Sequence, residues 1–588
     1  MKTIHLYARR IWQLLFLATA AYILATTGCG GDEAGGAAGA SGTAGIPVAA
    51  GNSGTAGAAG TAGNIAPMDG SAAGAPGDDA GVADAPIAPP DAATDLPVLP
   101  SDTRPAQPDV PGDADAGAAG GCSPAGWNRT FDVSSLSGLA VHGDGTLVAA
   151  VKLFDTQDFG SGPVTSAGSA DVAIVKLNPA DGKAMWMKSF GDGSDQMPGR
   201  IALSKSGHVG MLGTFTGTLT IKNSIVNSAP DAIDFLAALD ADGNGLWAKA
   251  VDTKGGGFLA IASHPAQDAF AVCGYAMGAA TDLVAGATAA ADEQEDVLIA
   301  KIDAGTGAVI WSRQFANPGS QQCTSIALDA LGDVYAAGLY NGTLDLGAGP
   351  LPLAPGKNAQ AIWVAKLDGA SGSTKSAASW GNDRRQSLKA LSVDDAGNLA
   401  LVGGLRDTMT FGAVTLPGGG GPGADAGATT TSNSDAFALK LDGKLVPVWA
   451  RRWGDTANQE LRAAAFDSAG DLVVAGSLVG SMDMGGGMIL TAATGADYYM
   501  NPQPDPFWAK LSGATGATLC AQRFGDDHPQ SADLLVLARS ASGSQANAVT
   551  VSGNFQGTID FGLGQLVASG KQSGTSVLMS AYLLQVRP

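Results

Sequence analysis

The chain has 588 residues and a formal net charge of −21. That surplus of acid excludes nucleic acid as an expected partner, because phosphates need basic surfaces. Gly, at 85 residues, is about twice its usual share and charged residues, at 15%, fall well below theirs; this balance disfavours helical bundles and favours turn-rich β structure with low-complexity sequence. Cys29, Cys122, Cys273, Cys323 and Cys520 show no C-x-x-C spacing, so no zinc site and no thioredoxin-type motif is indicated, and the bridging pattern stays open.

In chain order, Lys2, Arg9 and Arg10 precede the apolar run IWQLLFLATAAYILA (11–25), which ends in TTGC. A run of about fifteen residues is short of the roughly twenty that a spanning helix needs, and reads as the core of a signal peptide. The segment resembles a bacterial lipoprotein signal, with Cys29 at the lipid-attachment position, although Thr26 stands where an aliphatic residue is usual. The resemblance implies a signal peptide over 1–28, palmitate-type acylation of Cys29 and a membrane partner reached through that anchor. Gly30, in place of an Asp, implies outer-membrane sorting within the cell envelope, with surface exposure open to the protein.

Residues 30–121 contain no Phe, Tyr or Trp, and set twelve carboxylates against one basic residue, Arg104. Such a segment cannot bury enough apolar surface to offset the entropy of ordering, so 29–121 is expected to be a disordered tether. As a flexible coil it would reach roughly 50 Å on average.

From residue 122 onward a phrase recurs: GTLDLGAG (342–349) and GTIDFGLG (557–564), with TMTFGAV and SMDMGGG between them. The phrase belongs to a unit of four alternating runs, clearest in TSIALDALGDVYAAGLY, NGTLDLGAG, AIWVAKLDGASG and STKSAASWGN. Runs of five to eight residues with period-two alternation, broken by Gly, Asp and Asn, predict four strands per unit. The fourth strand carries large residues four apart, on one face: Trp186 and Phe190, Trp247 and Val251, Trp311 and Phe315, Trp449 and Trp453. Two ends of the series are incomplete. The chain finishes in a third strand, SVLMSAYLLQVRP, and the array begins with a lone fourth strand, WNRTFD (127–132). Joining them completes seven units, which predicts for 122–588 an all-β, seven-bladed β-propeller closed by its N-terminal strand, with no unpaired sheet edge at the seam. A monomer is expected.

The repeat SIALDALGDVYAAGLY followed by AIWVAKLDGASG resembles the bacterial β-propeller repeat often called SBBP, found in secreted and surface proteins. More distantly, IDAGTGAVIWSRQF is similar to the Trp-docking motif of the quinoprotein-like propeller superfamily. The first resemblance implies a secreted or surface protein. The second implies shared architecture, since the acidic metal ligands and cofactor cage of catalytic quinoproteins are not found here.

Motifs for chemistry are missing: no G-x-S-x-G, no H-E-x-x-H and no Walker loop occur, and the five histidines are scattered singly. DADGNGLW (240–247) imitates a calcium loop but has Val251 at the twelfth position, where a Glu is required, and reads as a hairpin turn. Asp345, Asp483 and Asp560 of the recurring phrase read as part of a packing element rather than cation ligands. No catalytic residue, metal or cofactor is expected.

Up-and-down strands put the blade-to-blade connectors and the second-to-third loops on one rim. That rim carries the insertions 417–435 and 494–506 and one Asp or Asn per connector: Asp132, Asp192, Asp252, Asn317, Asn382, Asp455 and Asp526. Loops held by a rigid scaffold concentrate binding groups, so Asp192, Asp252, Asp455 and Asp526, with Tyr498 and Tyr499, are the candidate ligand-binding residues; turn capping is the competing role. The function expected is a non-catalytic envelope lipoprotein that binds or scaffolds an envelope protein or glycan. The alternative is an envelope enzyme, quinoprotein-like redox or lyase, with its site in the central channel.

Overall fold

The computed structural model describes residues 126–588 apart from 134, 229–231, 281–282, 284–293, 353–358, 418–432, 494–502, 540–546, 570–571, 574–575, 578 and 587–588. The signal peptide, Cys29, the tether, Cys122, Tyr498 and Tyr499 lie outside the described residues. Among those residues there is no helix, and seven four-stranded antiparallel sheets make up a seven-bladed β-propeller.

The innermost strands of blades 1 to 7 are Leu136–Val141, Gln196–Leu203, Gly257–Ala262, Gln321–Leu328, Ser387–Val393, Gln459–Phe466 and Leu534–Ala538. Each contacts the next around the ring, and the last contacts the first. Blade 4 shows the pattern outward from the axis: Gln321–Leu328, Val334–Tyr340, Ala361–Leu367, Thr374–Trp380. Its third strand, AIWVAKL, is buried at every position but Lys366, because sheets stack on both of its faces; that is why these runs are nearly continuous apolar sequence. Core clusters accordingly bridge blades: Tyr335, Ile362 and Val364 of blade 4 pack with Leu399, Phe437 and Leu439 of blade 5.

In blade 7 the order from the axis is Leu534–Ala538, Ala548–Phe555, Ser580–Val586, then Trp127–Phe131. The N-terminal strand pairs antiparallel with the C-terminal one from Trp127↔Gln585 to Phe131↔Ala581.

The outer-strand tryptophans join neighbouring blades. Trp247 donates from Nε1 to Ala304 O (3.0 Å), Trp311 to Gly369 O (3.1 Å), Trp449 to Gly513 O (3.1 Å) and Trp127 to Pro179 O (3.0 Å), each carbonyl in the third-to-fourth hairpin of the next blade. Two residues before each of those fourth strands sits a glycine with positive φ, such as Gly307 (φ 72), over which the indole lies. A Cβ on Gly307 would stand 2.6 Å from the Trp247 ring, so a close approach and a left-handed backbone both require glycine. Blade 4 has Ser376 at the Trp position, and the hairpin it faces in blade 5 has Leu445 (φ 66, 4% exposed) at the Gly position. There the bulk has moved from one partner to the other. Blade 6 has Cys520 at the Trp position, and in blade 7, which it faces, the third and fourth strands, Ser580–Val586 and Trp127–Phe131, are not joined by a hairpin.

The recurring phrase forms a short two-stranded ribbon, as at Thr218–Ile221/Ser224–Asn227, Met409–Phe411/Val414–Leu416, Ser481–Asp483/Ile489–Thr491 and Thr558–Asp560/Gln565–Val567. Each follows the second strand of its blade and lies against an outer strand. Its alternate residues are buried: Leu344, Leu346, Met409, Phe411, Met482, Met484, Ile559 and Phe561 are all at most 2% exposed. The aspartates between them make tight local turns, Asp345 Oδ1 accepting from Gly347 N (2.7 Å), Asp483 Oδ1 from Gly485 N (2.8 Å) and Asp560 Oδ1 from Gly562 N (2.7 Å). Cys273 of the second strand of blade 3 is bonded to Cys323 of the inner strand of blade 4. Cys520 is also in a disulfide, whose partner lies outside the described residues.

Candidate functional site: connector rim and central channel

The connector aspartates are built into a repeated knot. Asp192 Oδ1 accepts from Ser194 N (2.8 Å) and Gln196 Nε2 (2.8 Å), while its Oδ2 accepts from Thr218 N (2.7 Å), the first residue of the ribbon. Asp455 repeats this with Ala457 N (2.7 Å), Gln459 Nε2 (2.7 Å) and Ser481 N (2.8 Å). Asp526 does so with His528 N (2.9 Å), Gln530 Nε2 and Thr558 N (3.2 Å). The asparagines play the same part: Asn382 Oδ1 accepts from Arg384 N (2.9 Å), and its Nδ2 donates to Thr408 O (2.9 Å). Burial raises the Asp192 carboxyl, but the amides of Ser194 and Thr218 together with Gln196 outweigh it and hold the carboxyl below its usual value. Asp252 differs, because Gly256 stands at the glutamine position; it accepts from Lys254 N (2.8 Å) and pairs with Lys254 Nζ (2.6 Å).

Behind five of the connectors, though not that of Asn382, lies a buried carboxylate at the start of a third strand: Asp171, Asp234, Asp296, Asp435 and Asp505. Asp435 pairs with Arg452 (2.6 Å) and Asp505 with Arg523 (3.0 Å), while Asp234 accepts from Thr253 Oγ1 (2.6 Å). A side chain on Gly454 would collide with Asp435 and Gln459, which explains the Trp-Gly-Asp sequence at that connector. Asp505 is fully buried and, among the described residues, its Oδ1 has no hydrogen-bond partner. Burial pushes its pKa up to about 6, with Ala493 N and Arg523 acting against the rise. The structure thus places Asp192, Asp455 and Asp526 as equivalent, half-buried turn caps on separate blades, with Asp252 as a looser fourth. It does not bring the four together. Asp526, Asp527 and His528 do cluster, their ligand atoms within 4.8 Å, as a turn with two ion pairs to the imidazole. Asp240 of the calcium-loop imitation caps its hairpin, accepting from Asp242 N (3.0 Å) and Asn244 N (2.8 Å).

The central channel holds charge that belongs to no sequence motif. Six inner strands carry a register irregularity near their connector-rim end, at Ser137, Gly199–Arg200, Leu259, Thr324, Lys389 and Arg462. Such bulges re-aim side chains. Arg462 Nη1 pairs with Asp533 Oδ1 of blade 7 (2.7 Å), and Glu460 receives Lys389 Nζ (3.4 Å), Ser387 Oγ (2.8 Å) and Arg462 Nε (3.7 Å). Arg200 of blade 2 is exposed to channel water yet walled in by protein, so desolvation lowers its pKa against the pull of Asp533, which sits across blade 1. At the opposite mouth Arg539 straps the axis. Its guanidinium donates to Phe466 O (3.1 Å), Val393 O (2.7 Å) and Asp395 Oδ1 (3.0 Å), and His264 of blade 3 stands 4.0 Å from the same carboxylate. The signal that could have revealed the channel is a charged residue breaking the apolar alternation of a first strand, as in QELRAAAF.

No family model matches the chain, and no curated protein matches it. Among solved structures, the chain is similar to quinohemoprotein alcohol dehydrogenase from Comamonas testosteroni (11% identity, TM-score 0.35, covering 79% of this chain and 77% of that one). It is also similar to the Dos1 propeller (9%, TM-score 0.37, 78% and 94%) and to a europium-containing methanol dehydrogenase (11%, TM-score 0.35, 78% and 93%). These superpositions are too loose to carry an activity to this chain. The architecture to which this chain belongs, the β-propeller, rests on its own seven four-stranded sheets.

Proposed function

We propose that this protein is a lipoprotein of the cell envelope, anchored through Cys29 to the outer membrane, whose propeller binds or scaffolds an envelope partner without catalysis. The N-terminal strand acts as the clasp of the ring. The tether 29–121 holds the propeller away from the bilayer, and the connector rim faces the partner. The observation that supports the reading is the knot of Asp192, Asp455, Asp526 and Asn382, which ties each connector to the ribbon behind it and makes the rim a fixed frame for the insertions 417–435 and 494–506. Tyr498 and Tyr499 supply contact area on the second insertion, and the half-exposed edges of Asp192, Asp252, Asp455 and Asp526 supply charge. An envelope protein or glycan is the partner class.

Asn382 meets its ribbon with Nδ2 donating to Thr408 O, whereas Asp192, Asp455 and Asp526 accept from Thr218 N, Ser481 N and Thr558 N, so changing Asp192, Asp252, Asp455 and Asp526 all to Asn removes charge and also lowers the thermal midpoint. Assayed below that midpoint and shown folded by circular dichroism, the variant loses capture of outer-membrane protein and polysaccharide fractions. Capture equal to wild type would leave these residues only their turn role. Cys29→Ala moves the protein from the membrane fraction to the soluble one. The channel's ion pairs favour a second reading, an envelope enzyme of redox or lyase type, and turnover lost on Arg462→Gln would establish it.

A further inference from the structure

We propose that the central channel holds a small organic carboxylate, seated on the Arg200 guanidinium and flanked by Lys389 and Arg462. At this level three cations face two carboxylates, Glu460 and Asp533, in a protein that is strongly acidic overall. The carboxylates are already committed. Glu460 is shared between Lys389, Arg462 and Ser387, and Asp533 accepts from Arg462, from Ser531 Oγ (2.7 Å) and from Asn554 Nδ2 (3.4 Å). Arg200 is different: among the described residues its guanidinium has no hydrogen bond and no carboxylate within ion-pair distance, although it stands within the field of Asp533.

A guanidinium presents a planar fork of N–H donors that matches a carboxylate bidentately, and such charge-assisted pairs gain strength where water is restricted. Access is from the connector rim, where Arg385 and Arg406 extend the positive field; burial lowers the Arg406 pKa, as does the neighbouring Arg385, against the attraction of Glu460. The far mouth is strapped by Arg539. This site deepens the binding reading but does not depend on the lipid anchor or on the rim aspartates.

The test is titration calorimetry of the full-length protein with succinate at pH 7 and low salt. Wild type gives saturable one-site heat. Arg200→Gln weakens binding about ten- to a hundredfold, Arg200→Lys retains part of it because the charge remains while the fork is lost, and Lys389→Gln weakens it several-fold. Lys222→Gln, on an exposed ribbon turn, leaves it unchanged. Circular dichroism of each variant establishes that the blades are intact. Absence of saturable heat in wild type overturns the proposal, as does equal binding by Arg200→Gln, equal weakening by Lys222→Gln, or equal affinity for inorganic phosphate. Any of these results leaves the rim reading standing, since that is read by capture with the four-Asn variant.

Discussion

The exchange of bulk between Trp449/Gly516 and Ser376/Leu445 makes a quantitative prediction. Trp449 is 4% exposed, and its indole covers Gly516 (φ 69) of blade 6. Trp449→Ser empties that space and costs about 3–5 kcal/mol, the range for deleting a large buried ring. The lost indole hydrogen bond adds little, because Gly513 O also accepts from Lys440 Nζ (2.7 Å) and is not orphaned. Gly516→Leu costs at least about 3 kcal/mol, since its Cβ would lie 2.6 Å from the ring and the backbone is left-handed. Leu445 shows that leucine tolerates this backbone when a serine stands opposite. The double variant therefore fills its own cavity and costs only about 1–2 kcal/mol, a coupling of several kcal/mol. Urea unfolding of the two single variants, the double variant and wild type measures it. Coupling within about 0.5 kcal/mol of zero would refute the idea that the two positions share one volume.

Other outcomes follow from single groups. Asp505 has its folded pKa raised to about 6, above the value of roughly 3.9 in the unfolded chain, so the native state binds the extra proton between these values. Its contribution to stability is therefore lowest above pH 6 and recovers as pH falls toward 4; Asp505→Asn flattens that segment of the stability–pH curve, on the order of 3 kcal/mol in height. The Cys273–Cys323 bond spans 50 residues of sequence, so the double change to Ala lowers unfolding free energy by about 4 kcal/mol on the chain-entropy account, read from denaturant midpoints. Cys520 stands where the other blades have a docking Trp, opposite the gap between the chain ends. Peptide mapping without reductant should find it joined to Cys122, five residues before Trp127, and Cys520→Ser should expose the N-terminal strand to proteolysis. A Cys520–Cys29 peptide would contradict this.

The strands were legible because stacked sheets demand alternation or continuous apolar runs, and AIWVAKL satisfies both faces at once. The seven-part count was legible because Trp186, Trp247, Trp311 and Trp449 mark the same strand each time. What those indoles touch was not, although the glycines of ADGKAMW and GTGAVIW are in plain view, because the contact runs to the following blade rather than along the unit. The connector aspartates were read as either ligands or caps. The glutamine four residues after Asp192, Asp455 and Asp526 was the missed sign, since a second amide at that spacing closes a knot with the carboxylate. Arg200, Arg462 and Asp533 belong to no motif. Their meaning depends on the ring bringing blades 2, 6 and 7 to one axis, and no local window contains that.

The ribbons laid along the outer strands bear on how such molecules tolerate crowding. A propeller blade ends in an open ladder of amides and carbonyls, and many copies held side by side would find one another through it. Here Met409, Phe411, Met482 and Phe561 are turned inward and small hydrogen-bonded turns face outward, so a neighbour meets glycine loops and the exposed carboxylates of Asp483 and Asp560 instead of a template for a fifth strand.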